Sequence, residues 1–274
     1  MIIYIPDGTE EKKAIARTTH LAISAHQDDI EFMAYAPIAE CFGKADKWFS
    51  GIVVTDGAGS PRSGLYADYT DEEMKEVRIA EQKKAAAVGE YSFQMLLGHP
   101  SKEVKDPKNT DIIKELAEII RSAKPKYLYT HNLADKHETH VATALKVIAA
   151  LRTLKAEERP EKVYGCEVWR DLDWMNDEEK VYMDCGAHPN LMRCLSAVFD
   201  SQIAGGKRYD LASEGRRLAN ATFSASHACD TYSALNYAMD LTLLMDERTD
   251  IAEYITGYIE RFKKSVADMI EKFI

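Results

Sequence analysis

Two periods of apolar spacing alternate along the first two-thirds of this chain. Short, nearly continuous apolar runs at His20 to Ala25 (HLAISA), Phe49 to Thr55 (FSGIVVT), Ser92 to Leu97, Tyr127 to Thr130 (YLYT) and Val163 to Trp169 have the length and side-chain types of buried strands. Between them, Ile30 to Phe42, Thr110 to Ser122 and His137 to Leu154 carry apolar residues at helical spacing. A further helix opens at Thr70, with Glu73 three residues on as in a capping box, and stops near Val88 at Gly89. No hairpin signal separates the strands. The alternation predicts an α/β fold: a Rossmann-like, mainly parallel sheet with helices on both faces. The pattern is less regular beyond residue 170, where Pro189 to Phe199 and Asp210 to Ala221 look helical and Asp250 to Phe273 forms a long amphipathic helix. We read residues 1–274 as one domain, with a core over 20–170 and an irregular C-terminal elaboration over 171–274.

In open parallel sheets, ligands bind beyond the carboxyl ends of the strands. That rule selects His26 to Asp29 after the first run, Asp56 to Gly64 after the second and His131 to His140 after the fourth. Two of these three segments are rich in His and Asp. Bulk properties narrow the function. With 274 residues, 46% of them hydrophobic, the chain can bury a large core. No window approaches the ~18 apolar residues of a transmembrane helix, and the N-terminus lacks the basic start and long apolar centre of a secretory signal. A cytoplasmic protein is the expectation. A net charge of -10 with no basic stripe disfavours nonspecific nucleic-acid binding. The five cysteines are scattered without a C-x-x-C pair, so they read as thiols in a reducing compartment.

The turn Ala25-His26-Gln27-Asp28-Asp29-Ile30-Glu31 places an imidazole beside two adjacent carboxylates. Such carboxylates repel unless a cation or a helix N-terminus offsets them, and neighbouring side chains in a turn diverge. One can bind a metal while the other faces its water; alternatively, one merely caps the next helix. In the segment Thr130 to His140, His137 and His140 are three apart and share a helix face, as either a metal-site pair or two solvated histidines. Of the eight histidines, His26, His99, His131, His137 and His140 lie at strand ends.

These segments together resemble the PIG-L/LmbE-type N-acetylglucosaminyl deacetylase family. The first resembles its A-H-P-D-D-x-E signature and the second its D-x-H-x-x-H segment. Thr55-Asp56-Gly57-Ala58-Gly59-Ser60 is similar to its T-x-G-x-G-S loop, and Arg78-Ile79-Ala80-Glu81 to its R-x-x-E helix. The four come in the family's order over residues 20 to 145. Further on, Phe199-Asp200-Ser201-Gln202 is similar to a family segment ending in Ser-Gln. Departures are Gln27 for the usual proline, Thr139 before the last histidine, and Ser101, where aspartates are frequent.

The resemblance implies a hydrolase that removes acetyl from an N-acetylated amino sugar. His26, Asp29 and His140 would hold one divalent metal, zinc first and ferrous iron as the alternative. Asp28 would be the general base, and a protonated His137 would steady the oxyanion. Asp135 would orient an imidazole. Arg78 would bind sugar hydroxyls, or else be a surface helix arginine.

The loop Trp169-Arg170-Asp171-Leu172-Asp173-Trp174 offers Arg170 and aromatic faces to a sugar, or is a packed strand end. Lys207-Arg208 and Arg216-Arg217 are the basic clusters of an acidic chain, fitting a solvated face or an anion on the substrate. The expected partner is a small N-acetylated sugar, and the last helix leaves room for a homo-oligomer. Two alternatives stay open: metal-dependent hydrolysis of another bond, and a sugar- or nucleotide-binding module without turnover.

Overall fold

The computed structural model describes residues 1–274. Eight strands form one sheet: β1 (Ile2–Tyr4), β2 (His20–Ser24), β3 (Phe49–Thr55), β4 (Gln94–His99), β5 (Tyr127–His131), β6 (Lys162–Cys166), β7 (Val181–Asp184) and β8 (Leu235–Asp240). Their spatial order is β1-β4-β3-β2-β5-β6-β8-β7. The central five are parallel. β1 pairs antiparallel with β4 at one edge, and β8 pairs antiparallel with both β6 and β7 at the other. The parallel strands thus run outward in both directions from β2 and β5, and the order reverses between them.

Period-2 alternation sends successive side chains to opposite faces. Leu21, Ile23, Ile52 and Val54 join one apolar cluster with Ile112, Leu116 and Ile120 of the Asp111–Ala123 helix and Val147 and Leu151 of the Glu138–Thr153 helix. Ala22, Phe49 and Val53 join the other cluster. There they meet Ile30, Tyr35 and Ile38, Ala85 and Ala86 of the Asp71–Val88 helix, and Leu191 and Leu195 of the Pro189–Ala197 helix. Both faces of the sheet are covered, which is why its strands read as continuous apolar runs.

The capping box forms as expected: the Thr70 side chain accepts from the Glu73 amide, and Glu73 accepts from the Thr70 amide. The helix expected over Ile30 to Phe42 is instead two, Asp29–Met33 and Tyr35–Cys41, broken at Ala34 with φ -122° and ψ 30°. Pro37 lacks the N–H that would bond the Met33 carbonyl, and its ring would collide with that carbonyl in a continuous helix.

Three strands (β1, β7 and β8) and three short α-helices, Glu11–Ala16, Ser101–Val104 and Asp200–Ile203, lie outside the expected elements. β1 spans three residues, and β8 (Leu-Asn-Tyr-Ala-Met-Asp) has no β-branched residue; its pairing and burial between β6 and β7 hold it extended. The last helix, Ile251–Glu271, meets the core through Ile255 and Tyr258. Beyond them Ile259, Phe262, Val266, Met269 and Phe273 stay exposed. No helix is long and apolar enough to cross a membrane.

At the amino end of β2, remote from the strand ends that bind ligands, His20 is buried against the rings of Tyr127 and Tyr129. Burial, only partly offset by Glu40, pushes its imidazole down to about 4. Unfolded histidine titrates near about 6.5. The stabilisation is therefore complete above that value and is lost as pH falls towards 4. Relative to wild type, His20→Phe should gain up to about 3 kcal/mol between pH 7 and pH 4, read from urea unfolding across that range. A pH-independent difference would show that His20 titrates like an exposed histidine.

Candidate metal centre and active-site cleft

The order reversal between β2 and β5 opens a crevice beyond their carboxyl ends, and the His/Asp segments converge there. Asp28 occupies a left-handed backbone conformation, with φ 88° and ψ -32°. For a non-glycine residue this costs on the order of 1–3 kcal/mol and persists only where surroundings enforce it. Three contacts do so. The Asp28 amide donates to Gln82 Oε1 (3.2 Å), its carbonyl accepts from the Glu31 and Phe32 amides, and its carboxylate meets Arg78. Gln82 also donates to Glu31 Oε1 (2.9 Å), which accepts from the Tyr91 hydroxyl (2.7 Å). The Asp28 side chain makes no capping bond, so the carboxylate does not merely terminate a helix.

His26 Nδ1, Asp29 Oδ2 and His140 Nε2 form a triangle with edges of 3.2, 3.2 and 3.3 Å. Three N/O donors about 2.05 Å from one tetrahedral ion stand about 3.3 Å apart, so the set fits zinc without rearrangement. Asp29 Oδ2 also accepts from the His26 amide (2.8 Å), which fixes the turn. On the far side of His140, Nδ1 lies 3.3 Å from Asp135 Oδ2. Asp135 is held in turn by the amides of His137 (3.0 Å) and Trp169 (3.2 Å). With the His140 proton on Nδ1, Nε2 is free to ligate.

His131 lies close to the triangle, its Nε2 3.5 Å from Asp29 Oδ2. That nitrogen accepts the Ala25 amide at 2.8 Å, so its lone pair is already engaged. His137 stacks on His140 with ring centroids 4.5 Å apart, meets His26 edge-on, and has no hydrogen bond at Nδ1.

Electrostatics follow the packing. Burial raises the Asp28 pKa, and Arg78 opposes that rise. For Asp29, burial is outweighed by His140 and His131, which hold it well below the usual carboxylate range. Burial would lower His140, but Asp29 and Asp135 overcome it and push the imidazole up to about 9. Burial, then His140 and His26, pushes His137 down to about 4. That direction favours a neutral His137, still able to donate one N–H, over the protonated form expected from the sequence. A dication beside it would lower it further.

Arg78 is not a surface arginine: it lines the cleft, with both Nη atoms engaged and Nε without a protein partner. It is 1% exposed. Its Nη2 donates to Asp28 Oδ2 (3.0 Å) and to the Gln27 carbonyl; its Nη1 donates to Glu81 Oε2 (3.1 Å). Glu81 accepts the Ser201 amide (2.7 Å) and hydroxyl (2.8 Å), tying the C-terminal third to Asp28 through Arg78. Gly57 has φ +78°, and a Cβ there would stand 2.7 Å from Gln27 Oε1 and 3.1 Å from Arg78 Cβ. The glycine lets the Thr55 to Ser60 loop close over the Arg78 stem.

The crevice widens into a cleft of about 710 Å³ lined mostly by polar side chains, including Asp28, Arg78, Ser101, His137 and Thr139. Its outer wall comes from the last third: Trp169, Gln202, Lys207, Tyr209, Ser213, Arg216 and Asn236. The sequence singled out Lys207 and Arg216 within basic clusters that fit a solvated face or an anion on the substrate, and gave Tyr209 no role. A usable signal was present, because Tyr209, Ala212, Ser213 and Arg216 line the cleft at i, i+3, i+4 and i+7 of one helix. Exposed Arg208 instead pairs with half-buried Asp210, and buried Arg217 donates to the Glu31 and Phe32 carbonyls. Arg170 is exposed and does not reach the cleft; the side chain of its neighbour Trp169 does. Trp174 packs on Phe262 by a separate surface hollow.

Residues 21–151 match a family model described as PIG-L, GlcNAc-PI de-N-acetylase. No curated protein matches the chain. Three solved structures share the fold. An N,N'-diacetylchitobiose deacetylase from Pyrococcus horikoshii is 12% identical with TM-score 0.64, over 86% of this chain and 88% of that one. A 4-carboxy-2-hydroxymuconate hydratase from Pseudomonas putida is 16% identical with TM-score 0.62, over 85% and 98%. A conserved protein from Thermus thermophilus is 17% identical with TM-score 0.61, over 82% and 94%. At such identities the likeness speaks for the fold alone.

Removing Arg78 would strand two buried carboxylates. Arg78→Ala should lower unfolding stability by about 3–5 kcal/mol, measured by chemical denaturation. A loss under about 1 kcal/mol, the range of a surface ion pair, would mean that Arg78 does not hold Asp28 and Glu81.

Proposed function

Residues 21–151 of this chain are a PIG-L-family domain, and from that premise we propose that the protein is a metal-dependent N-deacetylase of an N-acetylated amino sugar or its glycoside. One observation carries the reading: three donor atoms with tetrahedral edges lie beside a buried, uncapped Asp28 at the base of a polar cleft. His26, Asp29 and His140 would hold the ion, zinc by preference. Bound there, it supplies Lewis acidity toward a water and the amide carbonyl.

The remaining work falls to the chain. Asp28 takes a proton from the attacking water, whose oxygen bonds to the acetyl carbon. His137, as a neutral imidazole, donates to the oxygen on which charge develops. When the C–N bond breaks, Asp28 returns its proton to the departing nitrogen, and acetate and free amine are the products. Arg78 keeps Asp28 aimed, and Asp135 keeps His140 aimed. Because residues 167–236 wall the cleft, we take residues 1–274 as one functional unit.

The architecture alone does not select the bond, since a hydratase shares it. Phosphoester hydrolysis on two metals is disfavoured because the two compact donor groups, His26 with His137 and His140, and Asp29 with His131 and His140, share His140 and so describe one site. The deciding experiment measures bound metal and amine release from N-acetylglucosamine and its glycosides. Stoichiometric zinc with amine release is expected; metal-loaded protein that frees no amine from any of them rejects the reading. Asp28→Asn should keep its metal and lose at least about 100-fold in kcat. His140→Ala should lose metal, and full occupancy in that variant would remove His140 from the ligand set.

A further inference from the structure

The Ile251–Glu271 helix outruns the body it packs on. Ile255 and Tyr258 are buried, whereas every residue from Ile259 onward is exposed. At a rise of about 1.5 Å per residue, Ile259 to Glu271 projects by about 18 Å. A helix that short is marginal in water unless something packs on it. Its sequence is not that of a solvated tail. Ile255, Ile259, Phe262, Val266, Met269 and Phe273 follow one another at spacings of 4, 3, 4, 3 and 4, the a and d positions of a coiled-coil heptad. The strip continues the face that Ile255 buries in the core. The core-facing side of the helix therefore runs past the end of the body with nothing beneath it, and contiguous apolar exposure of this kind marks an interaction surface.

The two ends of the strip are complementary. At its base lies a hollow of about 360 Å³ lined by Trp174, Met175, Phe262 and Ser265, with Asp173, Asp177 and Glu178 around it. Lys180 meets Asp173 and Asp177, but Glu178 has no cation within 4.0 Å. In the projecting segment Arg261, Lys263 and Lys264 are paired with Glu179, Glu260 and Asp268; only Lys272, at the tip, has no carboxylate within 4.0 Å. Trp174 Nε1 is buried without a hydrogen-bond partner, and the last turn of any helix ends in carbonyls without donors.

We propose that the chain dimerises through this strip, two copies pairing their last helices antiparallel about a two-fold axis, so that the tip of each meets the base of the other. In the register this requires, Phe262 layers with Phe273 of the partner subunit and Val266 with Met269 of the partner subunit. Ser265, in the lining of the hollow, then faces Lys272 of the partner subunit and brings it to Glu178, while Lys263 lies along Ile270 of the partner subunit. No like charges meet across the seam. A parallel pair would gather both Lys272 side chains at one end and leave both Glu178 side chains unmatched at the other. The helix contributes no residue to the cleft, so the contact is independent of the chemistry there.

Sedimentation equilibrium of the full chain over a micromolar concentration series tests the pairing, and a dimer is expected. Val266→Lys places a better helix former at an exposed position, so circular dichroism should be unchanged while the dimer Kd rises at least about tenfold. Lys272→Glu and Glu178→Lys should each raise Kd several-fold, and the double variant should return it to within about twofold of wild type. A chain that stays monomeric throughout, or an assembly indifferent to Val266→Lys, overturns the proposal. Weakening by Val266→Lys without rescue in the charge-swapped double variant overturns the antiparallel arrangement. A monomer that co-sediments with vesicles of phosphatidylcholine and phosphatidylserine, and ceases to do so as Val266→Lys, assigns the strip to a lipid surface and overturns the dimer as well.

Discussion

Asp28, Asp29 and Asp135 bring three largely buried carboxylates together at the base of the cleft, and most of the surrounding structure answers that charge. Left alone, each would protonate or expel its neighbours. Asp29 is met by His26 and His140, Asp135 by His140 and two backbone amides, and Asp28 by Arg78. The answer is shaped as well as charged. The imidazoles that offset Asp29 face a common point with lone pairs, so the field that raises His140 to about 9 also favours a divalent cation in the proton's place.

The requirement propagates outward. Arg78 between Asp28 and Glu81 needs a third partner to anchor Glu81, and Ser201 supplies it from 120 residues further along the chain. Gly57 must lack a side chain so that the loop after β3 can lie on the Arg78 stem. The Asp28 backbone sits where an ordinary residue resists going, and Gln82, itself tied to Glu31, keeps it there. Strain in the turn is balanced by hydrogen bonds from the Asp71–Val88 helix, which lies well downstream of Asp28 in the chain.

What was legible in the sequence was local. The Thr70 cap with Glu73, the apolar strand runs and the His/Asp segments at strand ends depend on neighbours within a few positions, and the structure places them as the pattern implied. What was not legible depended on remote partners. β8 carries no strand signal of its own and is extended because it pairs on both sides. Arg78 and Glu81 could be read as a pair, but not their contacts with Asp28 and Ser201. Pro37 did announce a break that the apolar spacing concealed. Arg170 was favoured by its place between aromatic residues, yet its side chain faces solvent.

The chain also separates two tasks along its length. The groups read as metal ligands and base lie between residues 26 and 140, whereas the outer wall is drawn from residues 167 to 236. A chimera that exchanged the later segment for that of a relative could acquire a new selectivity without rebuilding the hydrolytic apparatus. Such a graft would have to retain Ser201 and Arg217, since these side chains reach back to Glu81 and to the Glu31 and Phe32 carbonyls and fasten the wall to its foundation.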